Sequence, residues 1–265
     1  MCNTGCGVVL RFAPGAMCNT AGGVGPRWTD DGWGCAAWVD GEALAWIDTR
    51  QMIEVDRVMI EDLHIELIQM MENAGRNLAR LVHRLYRPES VAVYAGSGGN
   101  GGGGLVAARH LANLGVRVSV ATTRPGGDMT PIPAHQLDIV ERMGIAVGDA
   151  DPGADLAIDA VIGYSLSGAP GGRSADLIDA VNAHDRVVSL DVPSGLDTAT
   201  GDTPGRHVTA DATLTLAMPK LGLRDRREVG RLFVGDISVP ASVYAAFGAS
   251  VPSALFADGP VLEVR

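Results

Sequence analysis

The chain has 265 residues, 46% of them hydrophobic, with a formal net charge of −10, enough apolar content for one α/β core of ordinary size. The acidic balance excludes the broad basic surface with which proteins hold nucleic acid or anionic membranes nonspecifically, and no apolar run reaches transmembrane length. All four cysteines, Cys2, Cys6, Cys18 and Cys35, lie in the first 35 residues, without the paired spacing of a zinc knuckle.

Residues 1–45 are glycine-rich and weakly periodic, and read as an N-terminal extension, disordered or belonging to a start assigned too far upstream. They lack a basic start followed by an apolar stretch, so no secretory signal is expected and the protein is placed in the cytoplasm. A single domain is expected over 46–265. Asp48 and Gln51 have the spacing of a capping box, and Met52, Val55, Val58 and Met59 continue at helical spacing. A second helix is predicted from about Leu67 to Tyr86, with Met70, Met71, Ala74, Leu78, Leu81, Val82 and Leu85 on its apolar stripe and Pro88 closing it.

Strands and helices then alternate. Strands are predicted at Val91–Ala95, Val116–Ala121, Leu156–Ile158, Val187–Leu190, Ala212–Ala217 and Leu232–Val234, and helices at Leu105–Leu114, Ala134–Met143 and Ala175–Ala183. Short connections and near-continuous apolar strands predict a Rossmann-like three-layer α/β sandwich, a mostly parallel sheet with helices on both faces.

Between the first of these strands and its helix runs Gly96-Ser97-Gly98-Gly99-Asn100-Gly101-Gly102-Gly103-Gly104. Glycines let the backbone turn sharply and approach a ligand, and the free N–H groups at the following helix start suit phosphate. No acid follows the second strand, which ends Thr122-Thr123-Arg124, so the usual dinucleotide fingerprint is incomplete. No Lys-Ser or Lys-Thr follows the glycines, which argues against an ATP-hydrolysing P-loop.

Ligands of such sheets lie beyond the carboxyl ends of the strands. The residues there include Asp159, then Gly163-Tyr164-Ser165-Leu166-Ser167-Gly168; Asp191-Val192-Pro193-Ser194-Gly195-Leu196-Asp197; and Pro219-Lys220. Asp159, Asp191 and Lys220 are therefore expected to converge on one rim.

Together with Gln51–Asp56, Met70–Arg76 and Gly98–Leu111, these segments resemble the NAD(P)H-hydrate epimerases, the family built on the YjeF N-terminal domain. The resemblance covers roughly residues 46–237. It implies interconversion of the R and S forms of hydrated NADH and NADPH (NADHX, NADPHX), after which a separate dehydratase specific for the S form restores the cofactor. By position, the hydrated dinucleotide would be bound by Gly99, Asn100, Gly101, Gly102 and Gly103, by Gly163, Tyr164, Ser165, Leu166, Ser167, Gly168 and Ala169, and by Asp191. The resemblance also implies potassium at Asn100, Asp159 and Ser194, whose oxygens suit a hard cation. No kinase-like dehydratase domain follows, which implies a stand-alone epimerase, and a homodimer is expected. Where the family loop reads N-N-G-G-D-G, this chain has Gly99 for the first Asn and Gly103 for the Asp; Tyr164-Ser165 stands where smaller residues are commoner.

Epimerisation by loss and re-addition of water, or by transient ring opening, moves protons at one carbon–oxygen centre. Asp191 is the expected group at the hydroxyl, with Lys220 donating to it or tuning Asp191. The alternative is a noncatalytic nucleotide-binding or scaffold protein of the same fold.

Overall fold

The computed structural model describes residues 24–25, 37–252 and 254–265; the four cysteines and most of the expected extension lie outside the described residues. The elements in order are β1 (Val24–Gly25), β2 (Trp38–Val39), α1 (Thr49–Arg57), α2 (Leu67–Tyr86), β3 (Ser90–Ala95), α3 (Gly99–Asn113), β4 (Arg117–Thr122), α4 (Pro131–Arg142), β5 (Ala146–Val147) and β6 (Leu156–Ala160). They continue with α5 (Gly172–Val181), β7 (Val187–Leu190), β8 (Ala212–Leu216), β9 (Arg231–Gly235), α6 (Ala241–Ala245) and β10 (Val261–Val264).

The strands form one sheet in the order β1-β2-β10-β9-β8-β7-β6-β3-β4-β5. From β9 to β5 every pairing is parallel, whereas β10 runs antiparallel to β9. The order reverses between β3 and β6, because the chain first builds outward from β3 through β4 and β5 and then returns to its other side. That switch point opens a crevice at the carboxyl ends of β3 and β6. One face carries α2, α3 and α4, whose Leu78, Leu105, Leu111 and Leu137 pack on Val91, Val93, Ile158 and Leu190. The opposite face carries α5, through Leu177, Ile178 and Val181 on Ala92, Tyr94 and Ala157.

α1 begins in the expected capping box, with the Asp48 carboxylate accepting from Gln51 N–H and the Gln51 amide oxygen accepting from Asp48 N–H, at 2.7 and 2.8 Å. The helix ends at Arg57, earlier than its periodicity suggests, and continues as a π-turn over Val58–Asp62 closed by Leu63 N–H to Val58 O at 2.9 Å. The ordered body also starts upstream of residue 46. Trp38–Val39 pairs in parallel with β10, Val39 is fully buried, and Gly41 N–H donates to Arg265 O at 2.7 Å.

A second difference concerns the glycine segment, read as a loop. Gly99 to Gly104 instead form the first turns of α3. Glycine's low helix propensity argues against this locally, but close packing demands it: a β-carbon on Gly103 would sit 2.7 Å from Leu190 Cδ2, and one on Gly101 would overlap the backbone of Gly96. Asp159, expected just past its strand, lies within β6.

Candidate active site

At the switch point a cavity of about 520 Å³ is lined by three kinds of surface. Ser97, Gly98, Gly99, Asn100, Gly101 and Gly103 give it the amino end of α3. Met52, Leu67, Met70, Met71 and Ala74 from α1 and α2 supply an apolar wall, and Asp56, Tyr164 and Asp191 supply its titratable groups. No lysine or arginine lines it among the described residues. An anionic group there would meet the N–H groups of the first turn of α3, which have no partners within the helix.

Asp191 follows β7 and holds φ at +68°. Val192 N–H donates to Leu190 O at 2.9 Å across it, closing a γ-turn. A non-glycine residue in this conformation costs of order 1–3 kcal/mol and persists only where its surroundings enforce it. Here the Asp191 N–H is fixed to Leu214 O at 2.7 Å, and its Oδ1 accepts from Leu216 N–H and from Lys220 Nζ.

Lys220 is fully buried. Its ammonium donates to Asp191, to Leu216 O at 2.8 Å and to Thr215 Oγ1 at 3.2 Å, which uses all three of its donors. It does not line the cavity. The expected convergence of three charges on one rim is thus corrected: Asp191 reaches the cavity, Lys220 stands behind it, and Asp159 lies beneath the floor with no exposed surface. Lysine is read as a rim charge because it is almost never fully buried unless paired.

Among the described residues the Asp159 carboxylate accepts only from neutral donors. Ser194 Oγ at 2.5 Å and Val161 N–H at 3.3 Å reach Oδ1, while Ser189 Oγ and Ser194 N–H, both at 2.8 Å, reach Oδ2. Burial pushes its carboxyl above the usual carboxylate range, against the pull of those hydrogen bonds. Ser194 Oγ also accepts from Ile162 N–H at 2.8 Å. The next residue, Gly163, packs against Asn100, whose Oδ1 and Nδ2 are both buried and have no hydrogen-bond partner among the described residues. An orphaned amide oxygen against Gly163, next in sequence to the Ile162 that Ser194 holds, and a carboxylate with only neutral donors among the described residues are oxygen groups of the kind a hard cation takes.

The remaining expected residues divide. Gly163, Tyr164 and Ser165 line the cavity, but Leu166, Ser167, Gly168 and Ala169 do not; the last three are exposed. Gly102 faces Met71 rather than the cavity. His110 pairs with Glu72 at 2.8 Å on the α2–α3 surface, and Asn73 bonds Ser238 at 3.0 Å, so neither reaches the site. Asp56 closes the segment Gln51–Asp56 that carries the resemblance, with no role assigned to it there; its Oδ2 accepts from Tyr164 Oη at 2.5 Å across 108 positions of chain.

Residues 67–222 match the family model described as YjeF-related protein N-terminus. The chain belongs to this YjeF N-terminal family. It is similar to the NAD(P)H-hydrate epimerase of Dehalogenimonas lykanthroporepellens, with 46% identity over 220 residues, 79% of this chain and 88% of that protein. It is also similar to the bifunctional NAD(P)H-hydrate repair enzyme Nnr of Hyperthermus butylicus, 41% identical over 223 residues, of whose length it spans 41%. The crystal structure of yeast ynu0, YNL200c, superposes with a TM-score of 0.73 over 83% of this chain and 100% of that one, at 24% identity, which shows that the YjeF N-terminal fold is shared. Among the described residues no helix is long and apolar enough to cross a membrane.

Proposed function

We propose that this YjeF N-terminal protein is an NAD(P)H-hydrate epimerase, interconverting the R and S forms of NADHX and NADPHX. The observation that carries the reading is Asp191, held at a rare backbone angle so that its carboxylate reaches the cavity facing the amino end of α3, with the buried Lys220 behind it. The diphosphate is received by backbone N–H groups at Gly99, Asn100 and Gly101, which places the hydrated ring toward Asp191 and the apolar wall. Asp191 takes the proton from the ring hydroxyl as the bond between the hydroxyl-bearing carbon and the ring nitrogen breaks, leaving an aldehyde with the electron pair on the conjugated nitrogen. The nitrogen then adds to the other face of the carbonyl and Asp191 returns the proton to the oxygen, so atoms and electrons balance and the product is the epimer. Lys220 has no donor left for substrate, and its part is to hold and neutralise the Asp191 carboxylate.

The orphaned Asn100 amide, Asp159 and Ser194 support a potassium site. A bound cation would supply the charge that Asp159 lacks and tie the amino end of α3 to the turn after β7. Similarity to bifunctional repair enzymes supports a dehydratase as functional partner, and the substrate belongs to the intracellular nicotinamide pool, which supports a cytoplasmic enzyme; a homodimer is part of the same reading.

Incubating a mixture of (R)- and (S)-NADHX with an S-specific dehydratase and this protein tests the reading. Recovery of all the NADH faster than spontaneous epimerisation allows is expected, with about a 10²-fold loss of rate in Asp191→Asn. Recovery of the S fraction alone would show a binding protein without turnover.

A further inference from the structure

Asp56 and Tyr164 form the other polar pair in the cavity, and the proton transfer at Asp191 makes no use of them. Asp56 ends a chain of hydrogen bonds that ties α1 to the turn after β6. Its Oδ2 is occupied by the Tyr164 hydroxyl at 2.5 Å, while Oδ1 has no hydrogen-bond partner among the described residues and the side chain lines the cavity. The Tyr164 backbone is itself tied down, its carbonyl accepting from Thr198 Oγ1 at 3.2 Å; Thr198 Oγ1 in turn pairs with Thr49 Oγ1 at 2.8 Å, in the first turn of the helix that carries Asp56. Two ends of α1 are therefore fixed to one residue of the 163–169 turn.

The wall around this pair is otherwise apolar, made by Met52, Leu67, Met70 and Met71. Asp56 is near enough to Asp191 and Lys220 for both charges to act on its carboxyl. Asp56 is half-buried and its Oδ1 opens to the cavity, so an acceptor in an otherwise apolar wall is available to a ligand donor.

We propose that Asp56, positioned by Tyr164, accepts a hydrogen bond from the carboxamide N–H₂ of the hydrated nicotinamide ring and so sets the ring's orientation against Asp191. The inference rests on the epimerase reading. If the diphosphate sits at the amino end of α3 and Asp191 takes the ring hydroxyl, the carboxamide is the one remaining polar group on the ring. Asp56 Oδ1 is an acceptor without a partner on the same wall. Tyr164 acts through Asp56: its hydroxyl, donated to Oδ2, leaves Oδ1 for the ligand and fixes the rotamer.

The test compares two stable ligands, 1,4,5,6-tetrahydro-NAD, which carries the ring carboxamide but cannot epimerise, and ADP-ribose, which lacks the ring. Affinities are measured by calorimetry for the full chain, Asp56→Ala and Tyr164→Phe, beside their melting temperatures and NADHX turnover. We expect Asp56→Ala to weaken the ring-bearing ligand by 10-fold or more and leave ADP-ribose within 2-fold, with Tyr164→Phe giving a smaller loss of the same selectivity. In turnover, KM should rise more than kcat falls in Tyr164→Phe. Equal affinities in variant and parent, or equal losses for both ligands, overturn the assignment while leaving the epimerase reading intact. A parent protein that binds neither ligand and does not turn over NADHX overturns both.

Discussion

Replacing Lys220 by methionine keeps the volume and removes the ammonium that fills a fully buried position against Asp191. Breaking a buried ion pair by deleting one partner typically costs about 3–5 kcal/mol, because the surviving charge is left uncompensated. Asp191 retains 5% side-chain exposure on the cavity side, which lets water relieve part of that cost and sets the expectation at the lower end, about 3 kcal/mol. For a domain of this size that is a fall of roughly 6–12 °C in Tm. Lys220→Met should also lose epimerisation, since the released Asp191 is free to leave its turn. Asp191→Asn strands the ammonium instead and should destabilise as well, and the double variant Asp191→Asn/Lys220→Met should lose less stability than the two single losses summed. Urea unfolding and the coupled dehydratase assay on the three variants measure both effects. If Lys220→Met melts within about 2 °C of the parent and turns over at the parental rate, the lysine is a bystander and the account of Asp191 is wrong.

Within the glycine-rich start of α3, two neighbours should behave oppositely. Gly99→Ala places its methyl in open space and should leave Tm unchanged or raised, whereas Gly101→Ala drives one into the Gly96 backbone and should cost more than about 2 kcal/mol; similar Tm values for both would show that the close approach is not required. Potassium should raise Tm relative to choline at equal ionic strength, and Asp159→Asn should abolish the increment; an equal increment in both proteins would remove Asp159 from the cation site. Among the described residues a chain beginning at Ala37 loses only the two-residue β1 and should melt close to the full chain, while one beginning at Trp46 should melt several degrees lower, since it also loses buried Val39 and Leu44 and the pairing of Trp38–Val39 with β10. Equal thermal scans for the two truncated chains would show that this edge adds nothing.

The central sheet and its switch point were legible because Val91–Ala95, Val187–Leu190 and their neighbours are continuous apolar runs between turns, and Asp191 followed from its place at the end of one of them. Trp38–Val39 and Ala146–Val147 were not, since two residues carry no periodicity and their pairing depends on strands distant in sequence. The glycine segment misled for a different reason. Its residues have low intrinsic helix propensity, and contacts with Gly96, Met71, Leu190 and Ala160 override that local preference. The burial of Lys220 and the Asp56–Tyr164 bond belong to tertiary structure alone: nothing near Lys220 in the chain distinguishes it from a loop lysine, and Tyr164 meets Asp56 only once α1 has docked.

Five of the first six residues of α3 are glycine, and each weakens a helix interior by about 1 kcal/mol relative to alanine. The opening turns have little tendency to form alone and rest on the packed neighbours beneath them. Where that dependence leaves the opening turns less stable than the sheet, their amides exchange with solvent through local opening rather than global unfolding. A diphosphate captured on those N–H groups binds only the closed form, so it slows that opening by mass action. Deuterium uptake at Gly99–Gly104 should therefore report occupancy of the site more sharply than any change in the sheet, and the affinity measured for a nucleotide includes the work of finishing the helix.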